Sequence, residues 1–174
     1  MSGPPASDSP ATDAATSDSP ATDSPATDNA TTDSATRGAA GGAGCEALTA
    51  ATVSAAAGFA VSPAVAGGAA PVFLCTYKAT NGTGLVLIRK QTGVEDAIFQ
   101  GDRAAMNGTG EPTTDLPGIG DKAYSSVIGK GDFTTSTVVT LHGKNEILVS
   151  INGPKTDVHV AGAVALAALQ AFGF

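Results

Sequence analysis

The residues best suited to move a proton are two histidines, His142 and His159, and a small group of carboxylates. Histidine titrates near neutral pH, and paired carboxylates serve as acid and base in many hydrolases. The candidate carboxylates are Asp96, Asp102, Asp115 and Asp121. The histidines fall in separate predicted elements, and no GxSxG, HExxH, P-loop or GxGxxG motif occurs. We therefore expect no catalytic residue, no metal site and no cofactor.

One short segment has the residue types of a ligand-binding loop, Gly118-Ile-Gly120-Asp121-Lys122. Glycines allow a tight turn and let backbone N–H groups approach a partner, and an aspartate can bond to the backbone of its own turn. Two interpretations remain open. Either the segment is a turn that begins a strand, or Asp121 and Lys122 contact a ligand.

The chain contains only two cysteines, Cys45 and Cys75, which form no CxxC motif and lack the neighbours that a zinc site needs. Cys45 lies where the apolar part of the chain begins, and Cys75 lies in the first predicted strand. A disulfide between them would tie the chain entry to the sheet and would imply an oxidising compartment. Two unrelated buried thiols are the alternative.

The first 44 residues differ in composition from the rest of the chain. No Val, Ile, Leu or Phe precedes Leu48, and the pentad Ser-Pro-Ala-Thr-Asp occurs three times between positions 9 and 28. Such a segment cannot bury enough apolar surface to fold. Residues 1–44 are therefore expected to form a disordered Ser/Thr/Pro/Asp-rich stalk, either unmodified or O-glycosylated. Residues 45–174 are expected to form a single domain.

The formal net charge of −7 is concentrated in the stalk, which carries six aspartates and Arg37. Only −2 of that charge is left for the domain. A nearly neutral domain without a basic cluster is unsuited to nucleic acid and to anionic lipid headgroups. The charge pattern therefore excludes nucleic acid as the expected partner.

Periodicity and turn residues predict an α+β domain in the order αββαβββα. Thr49 is a suitable N-cap for a first helix, and residues 72–90 are predicted to form a hairpin. Thr92 and Glu95 have the spacing of a capping box for the second helix. The face of that helix that is expected to be buried carries Val94, Ala97, Ile98, Gly101 and Ala105.

The second half of the domain is predicted to begin with a loop over 107–120. Three strands follow, at about 122–128, 133–141 and 146–151, and turn residues between them indicate an antiparallel meander. The last helix is predicted over 157–172. Helices packed on an antiparallel sheet make a two- or three-layer sandwich.

Three stretches of this sequence resemble one known family. They are Cys45-Glu-Ala-Leu-Thr, Cys75-Thr-Tyr and Leu116-Pro-Gly-Ile-Gly-Asp-Lys-Ala-Tyr124, followed by a strand pair and an Ala/Leu-rich final helix. The pattern is similar to that of an actinobacterial secreted lipoprotein family known as domain of unknown function 3558. The resemblance covers residues 45–172, and its most specific part is Gly118 to Ala123.

The resemblance implies a secreted, usually lipid-anchored protein of the cell envelope. It implies a disulfide that matches Cys45 and Cys75, a sandwich fold similar to that of envelope adaptors, and no catalytic residues. The chain departs from the family because it has no lipobox and no hydrophobic signal. Met1 either replaces the acylated cysteine of a mature lipoprotein or comes from a misplaced start codon. We expect an extracytoplasmic protein, at the cell surface or secreted, that meets a membrane only through a lipid anchor outside this sequence.

We therefore expect a non-enzymatic binding or adaptor domain, whose partner is an unidentified envelope protein or a small envelope ligand. Its contact surface would be one sheet face or the 107–120 loop. A sensor-like domain with a pocket between sheet and helix is the alternative, and an envelope hydrolase is a third possibility. A deep polar pocket would favour the sensor, a His–carboxylate–Ser cluster the hydrolase, and a flat apolar patch the adaptor.

Overall fold

A computed structural model describes residues 44–131, 134–153 and 156–174. Except for Gly44, the predicted stalk lies outside the described residues, and so does Phe133, which was predicted to lie in the middle strand of the meander. The described parts form an α+β domain, which confirms the predicted fold class.

The domain contains three helices and seven strands. In chain order they are α1 (Ala50–Ala57), β1 (Val65–Ala69), β2 (Val72–Lys78), β3 (Leu85–Thr92), α2 (Asp96–Gly108), β4 (Thr113–Asp115), β5 (Lys122–Ile128), β6 (Thr135–His142), β7 (Asn145–Asn152) and α3 (Val158–Ala171). The strands form one antiparallel sheet in the order β1-β2-β3-β7-β6-β5-β4. The structure thus adds the two edge strands, β1 and β4, to the predicted order.

Helix α1 begins at its expected cap, Thr49, and α3 follows a cap at Asp157. The Thr49 hydroxyl accepts the N–H of Thr52 at 3.2 Å, and the Asp157 carboxylate accepts the N–H of Val160 at 3.0 Å. Gly58 ends α1 with a φ of 74°, a left-handed conformation that glycine adopts without strain. Local capping chemistry therefore marks where both helices begin.

The capping box predicted for α2 is wrong. Thr92 is the last residue of β3, where it pairs with Asn145, and its N–H donates to the Pro71 carbonyl at 3.0 Å. Glu95 is the N-cap, but its side chain binds Lys144 instead of the helix. Sheet pairing and a tertiary ion pair therefore replace the local motif.

The two faces of the sheet carry separate apolar clusters. Helices α1 and α3 cover one face, where Tyr77, Ile88, Val138 and Val149 are fully buried. Because neighbouring strand residues point to opposite faces, Val139 lies on the other face, in a smaller cluster with α2. The sheet is therefore the middle of three layers.

The predicted buried face of α2 is wrong except at Val94, which precedes the helix and is buried. The helix buries Phe99, with Arg103 and Met106 partly buried on the same side, while Ile98 remains 48% exposed. The Phe99 ring packs 5.1 Å from that of Tyr124. Packing of these two aromatic rings therefore accounts for the rotation of α2, which leaves Ile98 on the outside.

A disulfide joins Cys45 to Cys75, with 5.6 Å between the two Cα atoms. This confirms the pairing and indicates an oxidising, extracytoplasmic environment. Nearby, the Tyr77 hydroxyl donates to the Leu48 carbonyl at 2.5 Å, so the chain entry is fixed to β2 by a second bond. Within the described ranges, the helices are too short or too polar to cross a bilayer.

Candidate functional site

A cleft of about 230 Å³ lies between α2 and the segment that joins β4 to β5. The four residues singled out as a turn or ligand site, Gly118, Gly120, Asp121 and Lys122, all line this cleft. Residues of α2 line the opposite side: Phe99, Gln100 and Arg103. The fold thus places the predicted segment against a helix that the sequence did not associate with it.

Gly120 has a backbone reason to be glycine, since its φ is +60° and the chain runs close to β6. A Cβ atom at this position would clash with the Thr140 hydroxyl and would lie 2.7 Å from the Leu141 carbonyl oxygen. Gly118 also has a positive φ, of +90°, but a Cβ there would meet open space. The two glycines therefore have different structural roles.

Asp121 is held by the β6–β7 turn. Its N–H donates to the Leu141 carbonyl at 2.8 Å, and its Oδ2 accepts the N–H of Gly143 at 2.7 Å. Its Oδ1 lies 3.4 Å from Nδ1 of His142. These bonds support the turn interpretation of Asp121, and its role toward a ligand stays a prediction.

Lys122 connects the same segment to the first turn of α2. Its Nζ lies 2.5 Å from Oδ1 of Asp96, and both side chains are about half exposed. The hydrogen bond from Lys122 is the main reason that the pKa of Asp96 is lowered from its usual value. Lys122 therefore closes the rim of the cleft by pairing with α2.

Arg103 is the cationic residue of the cleft that sequence reasoning missed. Its Nε donates to the Thr113 hydroxyl at 3.0 Å, and its NH1 donates to Oδ1 of Asp115 at 2.6 Å. The guanidinium carbon lies 5.5 Å from the centroid of the Tyr124 ring, and only 26% of the side chain is exposed. The signal that could have found it is its helical spacing, four residues after Phe99 on the same face.

A second ion pair lies on the same sheet face, between Arg89 of β3 and Glu146 of β7. The Arg89 NH2 atom is 2.5 Å from Glu146 Oε1, and the Glu146 side chain is 1% exposed. Burial raises the pKa of Glu146, and the hydrogen bond and charge of Arg89 oppose that rise. Arg89 Nε and Glu146 Oε2 have no hydrogen-bond partner among the residues that the structure describes. The pair does not line the cleft, and it lies on the sheet face that carries the smaller apolar cluster.

The residues considered for proton transfer are distributed over the domain. His142 lies beside Asp121 and 5.8 Å from the ring of Phe174, whereas His159 is exposed in the first turn of α3. Among the carboxylates, Asp115 binds Arg103 and Asp102 is exposed. In the described part of the chain, no three His, Cys, Asp or Glu residues are placed to hold a metal ion.

A second surface with binding potential is the part of the sheet face beside α2. Leu74, Leu87 and Leu148 share this face with Arg89 and are half-buried. Among the described residues, Leu74 and Leu87 belong to neither apolar cluster. Thr76 and Ser150 pair with Leu87 on this face, so it is a mixed surface of leucines and polar residues that α2 covers only in part.

Comparison of the chain with protein-family models, with curated proteins and with solved structures finds no match.

Proposed function

We propose that this domain is a non-enzymatic binding or adaptor module of a cell-envelope lipoprotein, and that it acts outside the cytoplasm. The Cys45–Cys75 disulfide supports the compartment, because such bonds persist in oxidising environments. The similarity of the segment from Gly118 to Ala123 to the envelope lipoprotein family supports the assignment to the envelope.

The observation that carries a binding role is the way in which the charged groups of the cleft are held. Asp121 is bound to the β6–β7 turn, Asp115 to Arg103, and Lys122 to α2. Groups fixed in this way can hold a ligand in one orientation, since their positions are set before it arrives. They already have partners of their own, which suits recognition better than nucleophilic attack.

The size of the cleft favours an adaptor over a sensor for a whole small molecule. Sites that enclose a complete ligand have volumes of about 300–1,000 Å³, and this cleft has about 230 Å³. It therefore suits the end group of a larger partner. The half-buried leucines Leu74 and Leu87 offer such a partner a second contact on the same sheet face.

Affinity capture from envelope extract with the full chain tests this proposal. A Gln100→Trp variant would fill the cleft from α2, and Ala104→Trp is its matched control, because Ala104 is exposed on the same helix and does not line the cleft. We expect Gln100→Trp, and not Ala104→Trp, to lose the captured partner. A capture that is equal in both variants would contradict a role for the cleft.

The alternative function, an envelope hydrolase, predicts a different result for the histidines. The double variant His142→Ala with His159→Ala should retain the captured partner if the domain only binds. Loss of an envelope phenotype in that variant, with the circular dichroism spectrum unchanged, would favour the hydrolase.

A further inference from the structure

We propose that the cleft recognises an oxyanion, a carboxylate or a phosphate, through the backbone N–H groups of Gly118, Ile119 and Gly120 and the guanidinium of Arg103. This inference rests on the proposed function, because it names the chemistry of the ligand group that the same cleft would bind.

The first support is a run of three unpaired backbone donors. Leu116 N–H donates to the Ala123 carbonyl, and Asp121 N–H donates to the Leu141 carbonyl. Between them, the N–H groups of 118–120 donate no hydrogen bond to any described residue. Successive N–H groups in a turn with left-handed residues form concavities that bind anions, and Gly118 and Gly120 both have positive φ.

The second support is the unused capacity of Arg103. A guanidinium has five N–H donors, and the bonds to Thr113 and Asp115 use two of them. The side chain is fixed by these bonds and by the ring of Tyr124, and it lines the cleft opposite the loop. Its planar fork matches the geometry of carboxylate and phosphate, and little side-chain entropy remains to be lost on binding.

The charges around the cleft are balanced and not strongly positive. Arg103 and Lys122 face Asp115 and Asp121. The carboxylate of Asp121 accepts the Gly143 N–H and lies beside His142, so its charge is directed into the β6–β7 turn. Recognition would therefore depend on directed hydrogen bonds more than on net charge, and long-range attraction would contribute little.

The shape of the cleft limits the ligand to one end group. A volume of about 230 Å³ admits a carboxylate or a single phosphate with a few attached atoms. Phe99 and Leu116 supply apolar lining beside the donors. A carboxylate and a phosphate share the donor pattern, so the experiment must separate them.

Titration of the full ¹⁵N-labelled chain by NMR tests the inference. The probes are N-acetylglycinate, inorganic phosphate and the neutral N-acetylglycine amide, at constant ionic strength and up to roughly 50 mM, which would largely fill a site with a Kd of about 10 mM. We expect the amide signals of 118–120 to shift with an anionic probe and not with the neutral one. The stronger anionic probe identifies the source as carboxylate or phosphate.

Variants test which donors bind the probe. Arg103→Gln should weaken the binding of the anionic probe about tenfold or more, as expected for the loss of one charge-assisted hydrogen bond. Arg103→Lys should restore part of the affinity, and Lys78→Gln, on a strand far along the sheet order from β5, should leave it unchanged. Gln100→Trp, which leaves Arg103 unmutated, should also abolish the amide shifts of 118–120. The test therefore does not depend on whether Arg103→Gln folds stably.

Three results would overturn the inference. Equal amide shifts with the neutral probe would show that the cleft binds without selectivity for an oxyanion, and this result would leave the proposed binding function unaffected. No shift at 118–120 with any probe, or unchanged affinity in Arg103→Gln, would remove the oxyanion site itself. The proposed function is then decided separately by envelope capture with Gln100→Trp.

Discussion

Substitution of Gly120 by alanine should destabilise the domain much more than the same substitution two residues earlier. Both Gly118 and Gly120 have positive φ, at +90° and +60°, so each alanine meets the left-handed penalty of about 1–2 kcal/mol. Only at Gly120 does the new Cβ meet protein, 2.7 Å from the Leu141 carbonyl oxygen and against the Thr140 hydroxyl.

The extra cost at Gly120 can be worked from what must move. Thr140 Oγ1–H is shared between the Ile119 carbonyl at 3.0 Å and the Lys122 carbonyl at 3.2 Å, and Thr140 is fully buried. Overpacking of this kind costs about 1–3 kcal/mol. Gly120→Ala should therefore lose about 2–5 kcal/mol of unfolding free energy, and Gly118→Ala about 1–2 kcal/mol.

Urea denaturation, followed by circular dichroism, measures both losses. The m-value should stay the same, so that the shift in midpoint reports stability alone. If the two alanine variants unfold at the same urea concentration, the close approach of the loop to β6 does not constrain Gly120. A steric requirement for glycine at position 120 would then be refuted.

Three further predictions concern the disulfide, a buried hydroxyl and a buried carboxyl. Reduction of Cys45–Cys75, which are 30 residues apart, should lower the unfolding free energy by about 3–4 kcal/mol, and an unchanged urea midpoint in dithiothreitol would contradict this. Tyr77→Phe removes the donor to the Leu48 carbonyl and should cost about 1–3 kcal/mol in the same assay. Burial raises the pKa of Glu146 above 4.5, so the folded chain holds this proton more tightly than the unfolded chain does. Its contribution to the unfolding free energy should fall as pH rises from about 4.5 through the raised pKa. The difference in unfolding free energy between wild type and Glu146→Gln should follow that slope, and a difference independent of pH would contradict the prediction.

Most of the fold could be predicted because its signals are local. Thr49 and Gly58 mark the ends of α1, and alternating apolar residues mark β2 with Cys75 and Tyr77 on its buried face. The edge strand β1, Val65–Ala69, was missed because its two glycines give no alternation. Strand β4 was missed because its three polar residues have no strand pattern of their own. They form a strand only because they pair with β5.

The cleft could be predicted only in part. The sequence singled out Gly118 to Lys122 because glycine and aspartate spacing is visible without a structure. Helical spacing puts Arg103 on the same face as Phe99, but only the rotation of α2 places that face against the segment. That rotation is decided by Phe99 packing on Tyr124, a contact between residues 25 positions apart. Long-range packing between side chains therefore creates the half of the site that local patterns cannot show.

The two walls of the cleft are anchored in the apolar clusters on opposite faces of the sheet. Ile119 is buried in the cluster under α3, where Gly162 leaves room for its side chain. Arg103 belongs to α2, and its guanidinium lies over the ring of Tyr124 in the smaller cluster. A ligand that bonds to both walls would add a connection between α2 and the loop, beside the exposed Lys122–Asp96 pair. Since a ligand that binds only the folded arrangement stabilises it, occupancy of the cleft and attachment of α2 to the sheet would be coupled.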